Sequence, residues 1–478
     1  MDVLAVASEM YPLIKTGGLA DVVGALPAAL APLGISVTTL IPGYPAVLRA
    51  VGKGKVVARY DDLFGGPARV LRVKSLLVLD APHHFVRDGG AYGDPGGNDW
   101  PDNWRRFAAL SSVAADIAGG AIKDYRPALV HVHDWQAAMT LAYMRHGHAH
   151  KIPGVITIHN IAFQGRFDAG IFPILGLPPS AFAVDGVEYY GGVGYLKAGL
   201  QYADAITTVS PAYAAEILTP AQGMGLEGLL NARGNRLHGI LNGIDTHEWN
   251  PAVDPLIPVH YNARGLIGRR RNRAAVERKF GLAREAGPIF AVVSRLTWQK
   301  GMDILADAIP DLVAMGGRLA LLGSGDRAIE NALLAVAGRY PGKVGILTAY
   351  DEGVSHLLQA GADAILVPSR FEPCGLTQLY ALRYGCVPVV ARTGGLGDTV
   401  IDANEAAIAA GVATGIVHDA NSGLALRRAL QRAVTLFRQG EPWLAMQRAG
   451  MKADFSWGRS AGCYAALYRA LVERAEEA

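Results

Sequence analysis

Short β-branched runs alternate with longer alanine- and leucine-rich segments along almost all of the 478 residues, and this alternation leaves few folds open. Strands that must each be followed by a helix before the next strand build βαβ units and a parallel sheet covered on both faces. One series of strands is expected near residues 3–7, 37–41, 129–131, 155–159, 205–209 and 238–241; a second is expected near 289–294, 318–322, 343–347, 364–368 and 387–390. Between the two series Pro251, Pro255 and Pro258 remove backbone donors and disfavour helix in the residues before them. The stretch 249–261 therefore reads as a linker, with a boundary near 242–251. Length agrees, because single cores stop growing at about 250–300 residues. The expectation is an α/β protein of two similar halves.

Each half carries the same short phrase. Lys15-Thr16-Gly17-Gly18-Leu19-Ala20-Asp21 returns as Arg392-Thr393-Gly394-Gly395-Leu396-Gly397-Asp398. Each copy follows an apolar run and precedes a helix-like stretch, so each is a cationic, glycine-rich strand-to-helix turn. Such a turn points backbone N–H groups and a helix N-terminus at an anion. Glycine at these places also serves tight turns with no ligand. For both copies the sequence leaves the two readings open.

Several function classes fall away. A net charge of +3, from 45 Lys and Arg against 42 Asp and Glu, gives no global field for nucleic acid. A local run, Arg269, Arg270, Arg271, Arg273, Arg278 and Lys279, is interrupted by Glu277 and has no interleaved aromatics, so it reads as a solvated helix face. No apolar stretch approaches the roughly 20 residues of a membrane-spanning helix. Asp2 and Glu9 precede any long apolar run, unlike a secretory or transit segment. Three cysteines (Cys374, Cys386, Cys463) form no paired pattern, which together with the start of the chain points to the cytoplasm. The last segment, 457–478, reads as an amphipathic helix with Tyr464, Leu467, Tyr468 and Leu471 on one face.

In open α/β sheets ligands bind beyond the carboxyl ends of the strands, and the residues there are unusually polar. In the first half they are Ser8, Glu9 and Lys15; His133, Asp134 and Trp135; His159 and Asn160; and Asn242. In the second half they are Arg295 and Lys300, then Ser369 through Gly375. Arg295 and Lys300 flank a helix-opening loop, so two fixed cations and free amides would bind a diphosphate without a metal. His131, His133, Asp134 and His159, with His146, His148 and His150 nearby, invite a metal, yet no H-E-x-x-H or cysteine pair supports one, and none is assigned. Gly323-Ser324-Gly325-Asp326 hints at a dinucleotide fingerprint, but position 328 is Ala where a third glycine is needed. A nicotinamide-dependent oxidoreductase stands as a rival on the same fold class.

The chain resembles the bacterial glycogen synthases and plant starch synthases from end to end. The resemblance rests on Ser8-Glu9, the Lys15–Val22 phrase, Tyr92-Gly93-Asp94 and Asp99-Trp100-Pro101-Asp102-Asn103. It continues through His131-Val132-His133-Asp134-Trp135, His159-Asn160, Asn242-Gly243-Ile244-Asp245 and Ser294-Arg295-Leu296-Thr297-x-Gln299-Lys300-Gly301. It ends with Glu372-Pro373-Cys374-Gly375-Leu376-Thr377-Gln378 and the Arg392 phrase. These phrases, all in family order, are a specific match, and a non-catalytic glucan binder is the rival reading of the same resemblance.

The resemblance implies the GT-B architecture, two Rossmann-like domains facing a deep cleft: 1–242 for the acceptor, 243–456 for the nucleotide-sugar donor, and a helix 457–478 crossing back to the first domain. It implies retaining transfer of glucose from ADP-glucose to the non-reducing-end 4-hydroxyl of an α-1,4-glucan, with no cofactor and no metal. Arg295 and Lys300 would neutralise the departing diphosphate. Lys15 with the Gly17 and Gly18 amides, followed by Asp21, would close on those phosphates or on the acceptor pocket. Glu372 would hold a glucose hydroxyl, amides around Cys374, Gly375 and Leu376 would meet sugar and phosphate, and Thr377 would lie near the diphosphate. His159 is expected near the sugar 6-hydroxyl, with Asp134, Tyr92 and Asn160 close by; Tyr350 would stack on adenine and Asn242 would face the donor at the hinge. A wider group of retaining GT-B enzymes has a second Glu eight positions after the first. Here that position is Tyr380, which fits the synthases and favours a same-face mechanism. The resemblance says nothing of oligomeric state, allosteric control or remote glucan sites.

Overall fold

The computed structural model describes residues 1–349 and 351–477. The chain divides into two compact units: Met1–Gly243 joined by the segment from Trp457 onward, and Ile244–Ser456.

Twelve strands among the described residues belong to the first unit: β1 (Asp2–Val6), β2 (Ser36–Pro42), β3 (Lys55–Tyr60), β4 (Ala68–Val73), β5 (Leu76–Asp80), β6 (Leu129–His133), β7 (Gly154–Ile158), β8 (Arg166–Phe167), β9 (Glu188–Tyr189), β10 (Gly192–Gly194), β11 (Ala205–Thr208) and β12 (Leu237–Gly239). Nine of them form one sheet in the order β12-β11-β7-β6-β1-β2-β5-β4-β3, and β8-β10-β9 make a small second sheet. β6 and β7 are buried along their whole length, as a strand covered by helices on both faces must be. The antiparallel strands β3 and β4 lie beyond β5 at the edge of the sheet. Sequence reading passed over β3, β4 and β5: β3 is only half-buried and reads as mixed polar and apolar, without the continuous run of an interior strand.

The second unit has one six-stranded parallel sheet. Its strands are β13 (Ile289–Val293), β14 (Arg318–Leu322), β15 (Val344–Leu347), β16 (Ala364–Val367), β17 (Val387–Ala391) and β18 (Ile416–His418), in the order β15-β14-β13-β16-β17-β18. Phe290, Val292, Leu319, Leu321, Leu366 and Val389 bury one face under the helices Met302–Ala314 and Gly423–Gln439.

Both sheets have a topological switch point. In the first, connections run one way from β1 through β2 and the other way through β6; in the second they diverge between β13 and β16. Ligand crevices open at the carboxyl ends of such strand pairs, because the helices that follow them leave on opposite faces.

The last helix, Trp457–Glu477, packs on the first unit. Tyr464 and Tyr468 are buried with Val3, Val22 and Leu26, and the Tyr468 hydroxyl lies 2.7 Å from His131 Nδ1. Two expectations need correction. The proline-rich stretch 249–261 is no free linker: Trp249, Ile257 and Tyr261 are buried in the second unit, where Trp249 stacks between Tyr380 and His356 at 3.6 and 3.8 Å. The basic run is only partly solvated. Arg269 is buried and donates to the carbonyls of Gln359, Ala362 and Tyr384, while Arg273 pairs with Asp363. Those carbonyls need a donor once buried, and a long guanidinium supplies several at once.

Candidate active site

In the first unit β7, β6 and β1 are neighbours in level register: His131 lies between Ala5 and Val155, and Val132 between Val6 and Ile156. Their carboxyl ends therefore release Glu9, Asp134 and His159 side by side. Glu9 is 3% exposed and accepts hydrogen bonds from the Thr16 amide and the Tyr92 hydroxyl, which also lies 2.7 Å from Ser8 Oγ. Burial raises the Glu9 pKa, and these bonds only partly oppose it. Glu9 thus ties the first glycine-rich turn to the loop that carries Tyr92. The sequence quoted Glu9 but gave it no role.

Asp134 opens the helix Asp134–His146 with a φ of 55°, in the left-handed region that few residues other than glycine adopt. Its Oδ1 accepts the His159 amide at 2.6 Å. A helix N-terminus favours a carboxylate, yet burial outweighs that, and the Asp134 carboxyl is pushed up to about 7. His133 Nδ1 lies 3.0 Å from His159 Nε2, and burial holds both imidazoles neutral by lowering their pKa, that of His133 to about 3. Beneath them His131 Nε2 meets Thr157 Oγ1 at 2.6 Å. Asn160 turns its side chain to the Ala162 amide at 3.0 Å. Asn242 is 5% exposed, and its Oδ1 has no hydrogen-bond partner among the described residues.

The first glycine-rich turn is exposed and open. Gly17 is extended, with φ −154°, and a Cβ added there would meet nothing within 4 Å. The helix Gly18–Leu30 has no side-chain cap. Lys15 pairs with Asp21 at 2.8 Å and lies 5.3 Å from the Tyr11 ring centre.

In the second unit the switch point places the loop after β13 beside the loop after β16. Lys300 Nζ lies 2.5 Å from Glu372 Oε2, and Ser369 Oγ donates to the same oxygen at 2.9 Å. Glu372 is 8% exposed, so its charge is held by two donors in a buried setting. Arg295 is exposed and makes no side-chain hydrogen bond or ion pair among the described residues. Gly301 has φ +68°, and a Cβ there would stand 2.1 Å from the Pro368 carbonyl oxygen; only glycine lets these two loops approach. Arg370 clamps them further, with both terminal nitrogens 2.7 Å from Asp303 and its backbone amide 2.9 Å from the Gln299 carbonyl. The helices that follow β13, β16 and β17 start without side-chain caps, whereas Asp326 caps the helix after β14.

The second glycine-rich phrase differs from the first. Cβ atoms at Gly394 and Gly395 would stand 2.1 Å from the Glu372 oxygen and 2.2 Å from the Cys374 oxygen, and the Gly395 amide reaches the carbonyls of Glu372 and Pro373 at 3.2 and 3.1 Å. This copy is the seat of the loop carrying Glu372, Pro373, Cys374 and Gly375. Gln378, fully buried, holds the other side of that loop: its Nε2 donates to Cys374 and Gly375 carbonyls at 3.0 and 2.9 Å. Leu376 and Thr377 open the helix Thr377–Tyr384 directly after it. Cys374 is buried as a small packing residue.

Asp303 was not singled out from the sequence, and Ser369, Arg370 and Gln378, though quoted with the strand-end loop, were given no role. Arg370 and Asp303 join different loops, a contact no local pattern announces, whereas Ser369 and Gln378 act within their own loop on residues three or four positions away. The Gly323–Asp326 turn is accounted for structurally: a Cβ at Gly323 or Gly325 would strike the Ser294 or Leu296 carbonyl at 1.9 or 2.5 Å, so these glycines seat the Arg295 loop. Tyr350 lies outside the described residues. Among the described residues no group of three or more His, Cys, Asp or Glu is placed to hold a metal ion, and no helix is long and apolar enough to cross a membrane.

Two Rossmann-like α/β units, each with polar loops gathered at a switch point, define the GT-B class of glycosyltransferases. Residues 2–232 match the starch synthase catalytic domain family, and residues 275–436 match glycosyl transferases group 1. A glycogen synthase of Novosphingobium aromaticivorans is 60% identical over 477 residues, covering 98% of this chain and 98% of that protein. One of Mesorhizobium japonicum is 60% identical over 478 residues, covering 99% of each. The solved catalytic domain of starch synthase IV from Arabidopsis thaliana, bound to ADP and acarbose, is 32% identical with a TM-score of 0.87, over 98% of this chain and 99% of that one. The chain belongs to the glycogen and starch synthase family of glycosyltransferases.

Proposed function

We propose that the protein transfers glucose from ADP-glucose to the non-reducing-end 4-hydroxyl of an α-1,4-glucan, with retention at the anomeric carbon. The observation that carries this reading is the cluster at the second unit's switch point. There Lys300 and Ser369 fix the Glu372 carboxylate, and Arg295, without a side-chain partner among the described residues, lies in the loop before the uncapped helix Met302–Ala314. Such a site suits a diphosphate whose charge grows as its bond to the sugar breaks, because fixed cations and amides stabilise that charge without reorganising. The ADP found on the Arabidopsis relative supports an adenine nucleotide as the carrier.

The assignments follow. Arg295 and Lys300 neutralise the leaving diphosphate, with Thr377 and the amides of Cys374, Gly375 and Leu376 at its other oxygens. Glu372 accepts from a glucose hydroxyl. In the first unit Lys15, Gly17, Gly18 and Asp21 serve the phosphates or the acceptor, and His159, Asp134, Tyr92 and Asn160 surround the reacting sugar. Asn242 contributes its spare acceptor oxygen to the donor. Tyr350 stacks on the adenine. With Tyr380 committed to the Trp249 stack, retention proceeds on one face: the departing diphosphate takes the acceptor proton as the new bond forms.

Radiolabelled ADP-glucose and UDP-glucose, each offered with glycogen and with or without a chelator, test the reading. Label is expected to pass to glycogen from ADP-glucose, with and without chelator. Substituting Lys15, Arg295 or Lys300 by Ala should lower turnover by about 100-fold or more. Near-normal turnover in all three folded variants would remove the diphosphate assignment; loss of activity in chelator would remove the metal-free one.

A further inference from the structure

Two histidines of β6 reach across to β7 with the same offset. His131 is level with Val155 and His133 with Thr157, yet each bond runs two residues further on. His131 Nε2 lies 2.6 Å from Thr157 Oγ1, and His133 Nδ1 lies 3.0 Å from His159 Nε2. Side chains two positions apart on a strand share a face, so these bonds are successive rungs of one ladder. The lower rung ends at Tyr468 of the last helix, and the upper one ends at the half-buried His159.

The lower rung has a fixed direction, because a hydroxyl has a single proton to give. The Thr207 hydroxyl donates to the Ile156 carbonyl at 3.4 Å, so its oxygen accepts from the Thr157 hydroxyl at 2.6 Å. Thr157 Oγ1 then accepts from His131 Nε2–H, and His131 Nδ1 accepts from the Tyr468 hydroxyl at 2.7 Å. Both nitrogens of His131 are committed. Although its ring centre is 4.2 Å from that of His133, it offers His133 no hydrogen bond.

The upper rung follows by proton accounting. Burial keeps both of its rings neutral, so one proton lies in the contact between them. His133 is 1% exposed, and its Nε2 makes no hydrogen bond among the described residues. A proton on that nitrogen would bury an N–H without an acceptor, which folded proteins rarely tolerate. The His133 proton therefore sits on Nδ1 and is donated to His159 Nε2. That leaves the His159 proton on Nδ1, which has no partner among the described residues. Asp134 Oδ1 fixes the His159 backbone amide at 2.6 Å, so consecutive residues hold its main chain and its ring.

We infer that His133 is a positioning residue, which sets the tautomer and ring plane of His159 and makes its Nδ1–H a hydrogen-bond donor to the 6-hydroxyl oxygen of the reacting glucose. The proton on one imidazole nitrogen is placed by the bond the other nitrogen makes. A donor held this way loses little orientation when the sugar arrives. The inference rests on the place proposed above for His159 beside the reacting sugar.

Magnetic resonance of the full chain labelled with nitrogen-15 histidine reads the tautomer, because protonated and bare imidazole nitrogens resonate far apart; His159→Gln identifies the signal. The parent without substrate should carry the His159 proton on Nδ1. Turnover is then compared for the parent, His133→Leu and His133→Asn, with ADP-glucose and with its 6-deoxyglucose analogue. Leu removes the donor at similar volume, and Asn restores an N–H near the Nδ1 position. His133→Leu should lower kcat/KM for ADP-glucose about tenfold, and His133→Asn should recover most of it. The deoxy sugar should lose about tenfold in the parent but under about threefold in His133→Leu, whereas a merely structural defect would lower both sugars alike. A His159 proton on Nε2 in the parent would overturn the inference, as would a deoxy penalty unchanged in His133→Leu. A parent that uses both sugars equally would overturn it by removing the place given to His159. The spectrum needs no change at position 133 and no substrate, so it decides the tautomer even where His133→Leu fails to fold or ADP-glucose is not the donor.

Discussion

Replacing Asp134 by Asn should make the protein more stable at neutral pH and less so in acid, relative to the parent. The Asp134 carboxyl is moved by burial from 3.8 to about 7, so the folded protein holds this proton more tightly than the unfolded chain does. Stability from this group is therefore present in acid, falls as pH rises from about 4 to about 7, and is flat above that. A displacement of this size corresponds to a charging penalty of about 4 kcal/mol. Asn tolerates the left-handed backbone at this position and keeps an oxygen for the His159 amide. It adds an NH₂ group whose burial costs about 1 kcal/mol. The expected net gain at pH 8 is about 3 kcal/mol, or roughly 6–10 °C for a unit of this size, shrinking to nothing near pH 4. Buried His131, His133 and His159 act in the other direction, because their lowered pKa values give stability that is lost as pH falls below about 6.5. They are common to both proteins and cancel in the difference. Calorimetric scans of parent and variant from pH 4 to 8.5 measure it. A difference that does not change with pH, or a variant less stable at pH 8, would refute the reasoning. Turnover should fall in the same variant if the carboxylate charge serves the reaction.

The two glycine-rich phrases should respond oppositely to alanine. Gly395→Ala drives a Cβ to 2.2 Å from the Cys374 carbonyl and should cost about 2 kcal/mol or more with loss of turnover; Gly17→Ala meets open space and should leave the melting temperature within about 1 °C. Gln378→Ala removes the bonds to the Cys374 and Gly375 carbonyls, so the Michaelis constant for the nucleotide sugar should rise several-fold with a smaller drop in stability than Gly395→Ala produces, measured by initial rates and thermal scans.

Some of the site was readable without coordinates because it lies where strands end. A strand is a short local pattern, and once the sheet is parallel every carboxyl end faces the same edge, so Glu9, Asp134 and His159 arrive together, as do Lys300 and Glu372. Contacts between loops had no such signal. Lys300 reaches the Glu372 oxygen only because β13 and β16 are neighbours, and strand order is a property of the whole sheet.

The α/β class, fixed by the alternation of strand and helix patterns, follows from the sequence alone, because short-range propensity and periodicity set it. The meaning of the doubled phrase does not. Both copies are strand-to-helix turns, yet Gly17 is exposed beside Lys15, whereas Gly394 and Gly395 lie under the Glu372–Cys374 backbone. The Arg269 run likewise reads as a surface, and Arg269 is buried against carbonyls about 90 to 115 residues away. Closely similar local sequences, or cations within one run, acquire different roles when distant backbone closes over one of them. Which backbone closes is decided by the order of strands in the folded sheet.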